Sequence, residues 1–137
     1  MKYSITHKDK HPLLLVQIDV IPIPQLAIID TGCASNFIKV HPNYINSPLF
    51  NRTGRVIRSY TANGQPNDSP EIRQTVTIGE YSFDLLIGIG DFNMAGATVI
   101  LGAKFLYDNK LSLYINGDYF VIKKEDSNDI ILAESTP

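Results

Sequence analysis

Short blocks of alternating or β-branched apolar residues recur along the whole chain, and no stretch of a dozen residues keeps the apolar period of a helix. The first block, residues 13–20, opens with an apolar run and then alternates, and residues 26–29 follow after two prolines. Later blocks of alternating residues meet at turn signals near residues 79–80 and 116–117, which predicts β-hairpins. The chain is therefore predicted to be all-β, with one short helix at residues 103–107.

The size and charge of the chain exclude several classes of protein. Its 137 residues suffice for one domain, and 12 basic against 14 acidic residues give no positive surface for a nucleic acid or an anionic membrane. The longest apolar runs are far shorter than the roughly 20 residues that cross a bilayer, and no secretion signal opens the sequence. Cys33 is the only cysteine, which excludes an internal disulfide and a cysteine zinc site. We expect a soluble, unsecreted chain.

An acidic residue stands where a buried strand is predicted to end. Residues 26–29 are all apolar, and they run directly into Asp30, Thr31 and Gly32. A carboxylate at the exit of a strand that both faces bury is costly to desolvate. One interpretation is a turn aspartate that accepts hydrogen bonds from its own backbone. The other is a catalytic carboxylate, and the rest of the sequence favours this second interpretation.

A second apolar run ends in glycine later in the chain. Residues 99–101 lead to Gly102, immediately before the predicted helix, while Phe37 and Ile38 follow Asp30 by seven and eight residues. This pattern resembles the retropepsin family, the single-domain aspartic proteases of retroviruses and related elements. In that family an apolar strand delivers Asp-Thr-Gly, an apolar pair closes the segment, and an Ile-Leu-Gly-like run precedes a helix.

A hairpin signal lies between the two motifs. Retroelement proteases carry a similar Ala-Asn/Asp-Gly tip on the flap, the hairpin that covers the substrate, and the corresponding residues here are Tyr60, Thr61, Ala62, Asn63 and Gly64. The Asn-Gly pair by itself favours a tight hairpin turn. From this hairpin through residues 81–87 to Gly102, the sequence looks most like the proteases of plant pararetroviruses, the caulimovirus and bacilliform-virus group.

The resemblance covers roughly residues 12–123 and implies a fold. That fold is a retropepsin-like closed barrel, the acid protease fold, with one lobe per chain and residues 13–122 as the protease domain. Residues 1–12 are then an N-terminal extension that could supply a dimer strand. Residues 123–137 are a C-terminal tail, for which we expect either disorder or a second dimer strand.

The resemblance also implies an aspartic endopeptidase that needs no cofactor and no metal. Peptide hydrolysis by carboxylates needs both a base and an acid, and one chain supplies one Asp-Thr-Gly. We therefore expect a homodimer in which Asp30 meets its symmetry mate and the two share one proton. In this interpretation Thr31 hydrogen-bonds across the dimer axis, and Gly32 lets backbone N–H groups approach the carboxylates.

The implied substrate is an extended segment of a viral or retroelement polyprotein, cut in the host cytoplasm or in the assembling virion. Its backbone would bond to the flap and its side chains would enter apolar pockets. The residues expected to bind it are Ile28, Tyr60, Ala62, Asn63, Gly64 and Ile100. Ile100, Leu101 and Gly102 form the second motif, which is expected to pack beneath the active-site turn.

The sequence departs from the family at two places. Cys33 stands where Ala or Ser is usual, and Ala34 and Ala103 stand where some retroviral members pair an acid with an arginine. Both halves of that ion pair are missing, so no charge is left unpartnered. Cys33 is expected to be an inert packing residue, with a redox switch as the alternative.

Other interpretations stay open. The same fold could dimerise or bind a peptide strand without catalysis, as a domesticated retroelement domain would, or it could be an assembly domain of a polyprotein. The histidines lack a metal-ligand spacing and are predicted to be surface residues. A basic edge near the flap is predicted to be a solvated face. These residues are His7, His11 and His41, and Arg52, Arg55 and Arg58.

Overall fold

The computed structural model describes residues 11–60, 63–94, 96–116, 119–127 and 129–135. Within these ranges the strands are β1 (Leu13–Ile18), β2 (Gln25–Ile29), β3 (Asn36–Ile38), β4 (Arg52–Tyr60), β5 (Pro66–Ile78), β6 (Tyr81–Ile89), β7 (Val99–Leu101), β8 (Leu111–Asn116), β9 (Tyr119–Lys124) and β10 (Ile130–Ser135). They are joined by the helix α1 (Ala103–Asp108) and one turn of 3-10 helix at Pro42–Tyr44. No helix in the described ranges has both the length and the apolar character needed to cross a membrane.

Six strands form a closed barrel in the order β1, β2, β7, β3, β6 and β5. The ring closes because the end of β1 pairs with β5, where Gln17 lies opposite Thr77 and Ile18 opposite Val76. In the described residues, β4 pairs with β5 alone and therefore lies outside the ring. The prediction of an all-β chain with one short helix is confirmed.

Alternation along the strands fills the barrel. Leu14, Val16 and Ile18 of β1 are buried, while Leu15 and Gln17 between them are exposed, as expected where successive side chains point to opposite faces. The same period places alternate residues of β5 and β6 in the interior. The main core also includes Val99 and Leu101 of β7, Phe105 of α1, and Ile72, Val76, Ile78, Leu85 and Ile87.

A buried glutamine joins the strands where the ring closes. Gln74 of β5 is buried, and its Nε2 donates to the carboxylate of Asp19 at 2.8 Å. Its Oε1 accepts from the N–H of Asn51 at 2.7 Å. Because both ends of the amide are bonded, its burial carries no penalty for an unsatisfied polar group. It ties β5 to the end of β1 and to the start of β4.

A small second sheet, in the order β10, β9, β8, packs against the barrel. Its buried residues, Leu111, Phe120, Ile122 and Ile131, belong to the same core cluster as the barrel interior. Residues 130–135, for which we expected disorder or a dimer strand, pair with β9 of the same chain. Residues 1–10 lie outside the described residues, so an N-terminal dimer strand stays a prediction.

Two strand boundaries and one turn differ from the sequence prediction. β1 ends at Ile18 rather than at residue 20, and β5 begins at Pro66 rather than at Ile72. The early part of β5 is polar and does not alternate, because it pairs with β4 away from the core. The register of the hairpin, with Tyr60 opposite Pro66, does not fit a two-residue turn at Asn63-Gly64, and Gly64 has a φ of +76°.

We predict that Phe105→Ala lowers the free energy of unfolding by about 3–5 kcal/mol. Phe105 is fully buried, and its ring packs edge-on against Phe83 with the centroids 5.3 Å apart. Tyr107→Ala on the same helix is the control, because Tyr107 is 85% exposed and its loss should change stability by less than about 0.5 kcal/mol. Urea unfolding at one protein concentration measures both, and equal losses for the two variants would contradict the packing of α1.

Candidate active site

Asp30 lies immediately beyond β2, where the strand leaves the barrel. β2 and β7 are parallel neighbours, with Ile28 opposite Ile100 and Ile29 opposite Leu101. The N–H of Asp30 still donates to the carbonyl of Leu101 at 3.0 Å, so the ladder holds Asp30 itself. The chain then turns, and the N–H of Cys33 donates back to the carbonyl of Asp30 at 3.0 Å. The carboxylate is therefore carried on a fixed backbone.

The carboxylate of Asp30 interacts with its own turn. Its Oδ1 accepts a hydrogen bond of 3.0 Å from the N–H of Gly32, and its side chain is 19% exposed. A Cβ on residue 32 would lie 3.2 Å from that oxygen, so a side chain there would crowd the carboxylate. Thr31 and Gly32 are both exposed on the surface of the turn. A partner molecule can thus approach the turn without displacing this chain's own core.

The start of α1 holds this turn in place. Three successive N–H groups donate to it: Gly102 to Oδ1 of Asn36 at 3.0 Å, Ala103 to the carbonyl of Cys33 at 2.7 Å, and Lys104 to the carbonyl of Ala34 at 3.0 Å. The first N–H groups of a helix have no partner within the helix, so the turn satisfies donors that would otherwise be left over. We call these three bonds the backbone clamp.

Gly102 makes the clamp possible. A Cβ at this position would lie 2.3 Å from the carbonyl oxygen of Ser35 and 2.5 Å from that of Cys33, both of them backbone atoms. Only glycine, which has no Cβ, allows so close an approach without moving the backbone. Gly102 follows directly on Ile100 and Leu101, the last residues of β7.

Asn36 is a residue of the site that the sequence analysis did not identify. It is buried, its Oδ1 accepts from Gly102, and its Nδ2 donates to the carbonyl of Leu86 at 3.1 Å. It therefore links the clamp to β6. The signal available in the sequence was a polar residue at the head of the apolar segment Asn36-Phe37-Ile38, where an amide needs buried partners.

The structure brings Ile28 and Ile100 together in an apolar cluster on the other side of β2 and β7 from the main core. Ile28, Phe37, Ala97 and Ile100 are buried there, and the residues packed against them are Leu13, Cys33, Ile57, Phe92 and Met94. Ile28 and Ile100 are thus neighbours, as predicted for a common pocket, but within this chain they are covered. Ile57 of β4 is part of that cover. Their contact with substrate stays a prediction.

The predicted flap residues belong to the β4–β5 hairpin, and that they act as a flap stays a prediction. Ile57 points toward the apolar cluster, whereas Tyr60 is 68% exposed. Tyr60 and Ile57 are three residues apart on one strand, so they face opposite sides of the hairpin, and Tyr60 shares its side with Arg58. The structure therefore does not bring Tyr60 together with Ile28 and Ile100. Asn63 and Gly64 are exposed beyond the paired strands, and Ala62 lies outside the described residues.

A buried carboxylate anchors the base of this hairpin. Oε1 of Glu71 accepts hydrogen bonds from the hydroxyl of Thr53 at 2.8 Å and from Nε of Arg55 at 2.9 Å. Burial would raise the pKa of Glu71, but the bonds from Thr53 and Arg55, together with the nearby charges of Arg55 and Lys104, outweigh it and lower the pKa below its ordinary value. Glu71 is thus held ionised.

The arginines that we predicted as a solvated basic edge each have a polar partner. Besides Arg55, Arg58 pairs with Asp68 across the hairpin, with Nε 2.7 Å from Oδ1, and Arg52 donates to the carbonyl of Ile45. Their guanidinium groups are bound within the hairpin and its neighbouring loop, and their charge is partly balanced there.

His11 lies beside Asp30, which the sequence analysis missed. Leu13 pairs with Ile28, and the same register continues to the N–H of Ile29, which donates to the carbonyl of Pro12 at 3.0 Å. One position further, Nε2 of His11 lies 3.9 Å from Oδ1 of Asp30. His11 was predicted as a surface residue, but its side chain is only 29% exposed. The antiparallel register of the first two predicted strands was the signal that could have identified it.

Cys33 packs at the edge of the apolar cluster. Burial raises the pKa of its thiol, a backbone hydrogen bond with Ser35 offsets part of that rise, and the charge of Asp30 raises the pKa further. A thiol with a raised pKa carries little thiolate at neutral pH, which favours the packing role over the redox switch. No three His, Cys, Asp or Glu side chains of the described residues are grouped closely enough to hold a metal ion.

Solved structures of other proteins match the fold of this chain. The EIAV protease complexed with the inhibitor HBY-793 has a TM-score of 0.59 at 18% identity, over 82% of this chain and 100% of that chain. A retropepsin-like aspartic protease from Rickettsia conorii has a TM-score of 0.54 at 16% identity, over 98% of this chain and 90% of that chain. No protein-family model and no curated protein sequence matches the chain. The predicted retropepsin-like closed barrel is confirmed, and at these identities the likeness concerns the fold alone.

We predict that Gly102→Ala lowers the free energy of unfolding by about 3 kcal/mol or more, because the added methyl meets two backbone carbonyls of the Asp30 turn. Gly90→Ala is the matched control, since a Cβ there meets its nearest neighbour, Oγ of Ser69, at an ordinary distance of 3.4 Å. Thermal and urea unfolding compare the two variants. Equal stability of Gly102→Ala and the wild type would mean that the clamp is looser than described.

We predict that Arg55→Met lowers the free energy of unfolding by about 2 kcal/mol at pH 7. We expect this gap between the wild type and the variant to narrow as the pH falls from about 5 to 3. A carboxylate with a lowered folded-state pKa stabilises the fold above its ordinary pKa of about 4.3, and the contribution is lost as the pH falls through the lower, folded value. Without Arg55, this acid-sensitive contribution is reduced.

Urea unfolding from pH 3 to pH 7 measures that gap. Arg58→Met is the control, because the Arg58–Asp68 pair is exposed and its loss should leave stability nearly unchanged. A gap for Arg55→Met that is constant across the pH range would show that Glu71 is not the group responsible.

Proposed function

We propose that this chain is an aspartic endopeptidase of the retropepsin type, active as a homodimer and specific for segments of a viral or retroelement polyprotein. One observation carries the proposal. Asp30 stands at the exit of β2, bonded through its backbone to β7, on an exposed turn that a glycine-dependent clamp fixes from below. In a retropepsin-like barrel, such a carboxylate is positioned for chemistry rather than for packing.

The need for a second carboxylate supports the homodimer. Hydrolysis of a peptide bond requires a base to activate water and an acid to protonate the carbonyl oxygen and then the leaving amine. Asp30 supplies one group, and the exposed Thr31 and Gly32 leave room for a second copy to bring its own Asp30 alongside. Two carboxyls about 3 Å apart cannot both ionise cheaply, so they share one proton and titrate as a unit.

The proposed reaction has no covalent intermediate. The ionised Asp30 takes a proton from the bound water as the water oxygen attacks the scissile carbonyl carbon. The partner's Asp30 gives its proton to the carbonyl oxygen, which forms a tetrahedral diol. Collapse of the diol breaks the C–N bond, and a proton passes to the leaving amine. The rate should be greatest on the acid side of neutrality, where the pair holds one proton.

The substrate is proposed to bind as an extended strand between the Asp30 turn and the β4–β5 hairpin. Movement of Ile57 away from Ile28 and Ile100 would uncover the apolar cluster for substrate side chains. The backbone of Ala62, Asn63 and Gly64 would bond to the substrate, and Tyr60 would act from the outer side of the hairpin. The resemblance of the stretch from the hairpin through residues 81–87 to Gly102 further favours a plant pararetrovirus-type protease, working in the host cytoplasm or in the assembling virion.

A second candidate function is a non-catalytic module that dimerises or binds a peptide strand. The cover of Ile28 and Ile100 by Ile57 favours it, since a binding-only domain needs no permanently open cleft. In that case Asp30 is a structural turn residue that accepts the N–H of Gly32, and replacing it with Asn would leave function intact.

Asp30→Asn should abolish peptide cleavage between about pH 4 and 7 while leaving the fold unchanged, because the amide oxygen can still accept from Gly32. The assay uses a precursor polyprotein or a random peptide library, with pepstatin added in parallel. Asp91→Asn is the matched control, since the Asp91 side chain is 93% exposed and lies outside the proposed site.

Two results would contradict the proposal. A concentrated, folded dimer that cuts nothing would leave the fold in place and remove the enzyme, and cleavage that survives Asp30→Asn would point to another nucleophile or a contaminant. Sedimentation of the same samples tests the dimer, because a monomer at every concentration, with or without inhibitor, would have half of the proposed site.

A further inference from the structure

We infer that His11 is a positioning residue of this site, whose positive charge at acidic pH keeps the neighbouring Asp30 from taking up an extra proton. The inference rests on the proposed protease function and concerns the regulation of that same site. It starts from the closeness of the two side chains, with Nε2 of His11 3.9 Å from Oδ1 of Asp30.

Both side chains are carried on backbone that the barrel fixes. Pro12 is buried and its carbonyl accepts from Ile29, so the residue before it is tied to the β1–β2 ladder. On the other strand, Asp30 is bonded to Leu101. Continued beyond Leu13 and Ile28, the register of β1 and β2 brings residue 11 to the level of Asp30.

Two titratable side chains of the described residues lie near the Asp30 carboxylate. His11 is the one that can carry a positive charge, and the raised pKa of the Cys33 thiol keeps that group neutral at acidic pH. β7, which packs against β2 here, contributes the apolar residues 99–101. α1 reaches the turn through backbone N–H groups.

The expected effect follows from the charge of an imidazole, which is positive at pH 5 and largely lost by pH 8. An opposite charge within about 4–6 Å favours the ionised form of a carboxylate. The proposed pair of aspartates is active with one shared proton and fails at low pH, when a second proton binds. A positive His11 opposes that second proton, so the singly protonated pair persists to lower pH.

The test is the pH dependence of kcat/KM from about pH 3 to 8, with a peptide that the wild type cuts and Asp30→Asn does not. The acidic limb of the profile is the fall of kcat/KM at low pH. In His11→Gln, which has no charge, this limb should move to higher pH by about one unit, which is about a tenfold loss of kcat/KM at a fixed pH on that limb. In His11→Arg, which keeps the charge, the acidic limb should stay where the wild type has it.

His41→Gln is the matched control. It makes the same chemical change at an exposed histidine whose Nδ1 accepts from the N–H of Asn43, outside the proposed site. Its profile should coincide with that of the wild type. Thermal unfolding of every variant across the pH range separates loss of fold from loss of charge.

Two results would overturn the inference: an acidic limb of His11→Gln that coincides with the wild type, or equal shifts in the Gln and Arg variants, which would mark a steric rather than an electrostatic role. If no Asp30-dependent cleavage is found in the wild type, the proposed function fails and the inference fails with it.

If His11→Gln does not fold, the alkaline limb of the His11→Arg profile, the fall of kcat/KM at high pH, tests the inference instead. A permanent charge should move that limb to lower pH than in the wild type, and coincidence of the two limbs would refute the inference.

Discussion

The close approach of Gly102 to the Asp30 turn is the constraint on which the candidate site depends. Backbone carbonyls of Cys33 and Ser35 occupy the space that a side chain at residue 102 would need. The N–H groups at the start of α1, which have no partner within the helix, bond to the turn. The start of the helix also builds the site, because the N–H donors that every helix start leaves unsatisfied are the donors that hold the turn. Ala34 and Ala103 carry no charge, and the contacts there are main-chain ones, from Lys104 to the carbonyl of Ala34 and from Ala103 to the carbonyl of Cys33.

Buried polar groups, each with partners, connect this centre to the rest of the barrel. Asn36 joins the clamp to β6, Gln74 joins β5 to β1, and Glu71 joins β5 to β4 at the base of the hairpin. A buried polar group without partners would cost about 1–3 kcal/mol, so each of these residues favours one arrangement of strands over its neighbours in register. Apolar burial supplies the cohesion of the barrel, and these three residues supply much of its specificity.

The sequence was sufficient to predict those elements whose pattern lies within one short segment. The alternation at Leu14, Val16 and Ile18 and the two-residue turn after Ile78 predict β1 and the β5–β6 hairpin, and the resemblance predicts the closed barrel. It was insufficient where a residue acts through a distant partner. The polar half of β5 has no apolar period because it pairs outside the core, and the role of Asn36 depends on atoms of residues 86 and 102. The position of His11 depends on a strand register that no single segment encodes.

The clamp also has a consequence for the time at which the site can form. Its hydrogen bonds join residues 33–36 to residues 102–104, and the contact between Asn36 and Gly102 spans 66 positions. Contacts of such long sequence separation require a large loop to close before they stabilise anything, so they belong to the slow, late part of folding. On a ribosome, the turn that carries Asp30 would emerge long before the residues that fix it. During synthesis the aspartate would therefore be present before the contacts that hold its turn in place.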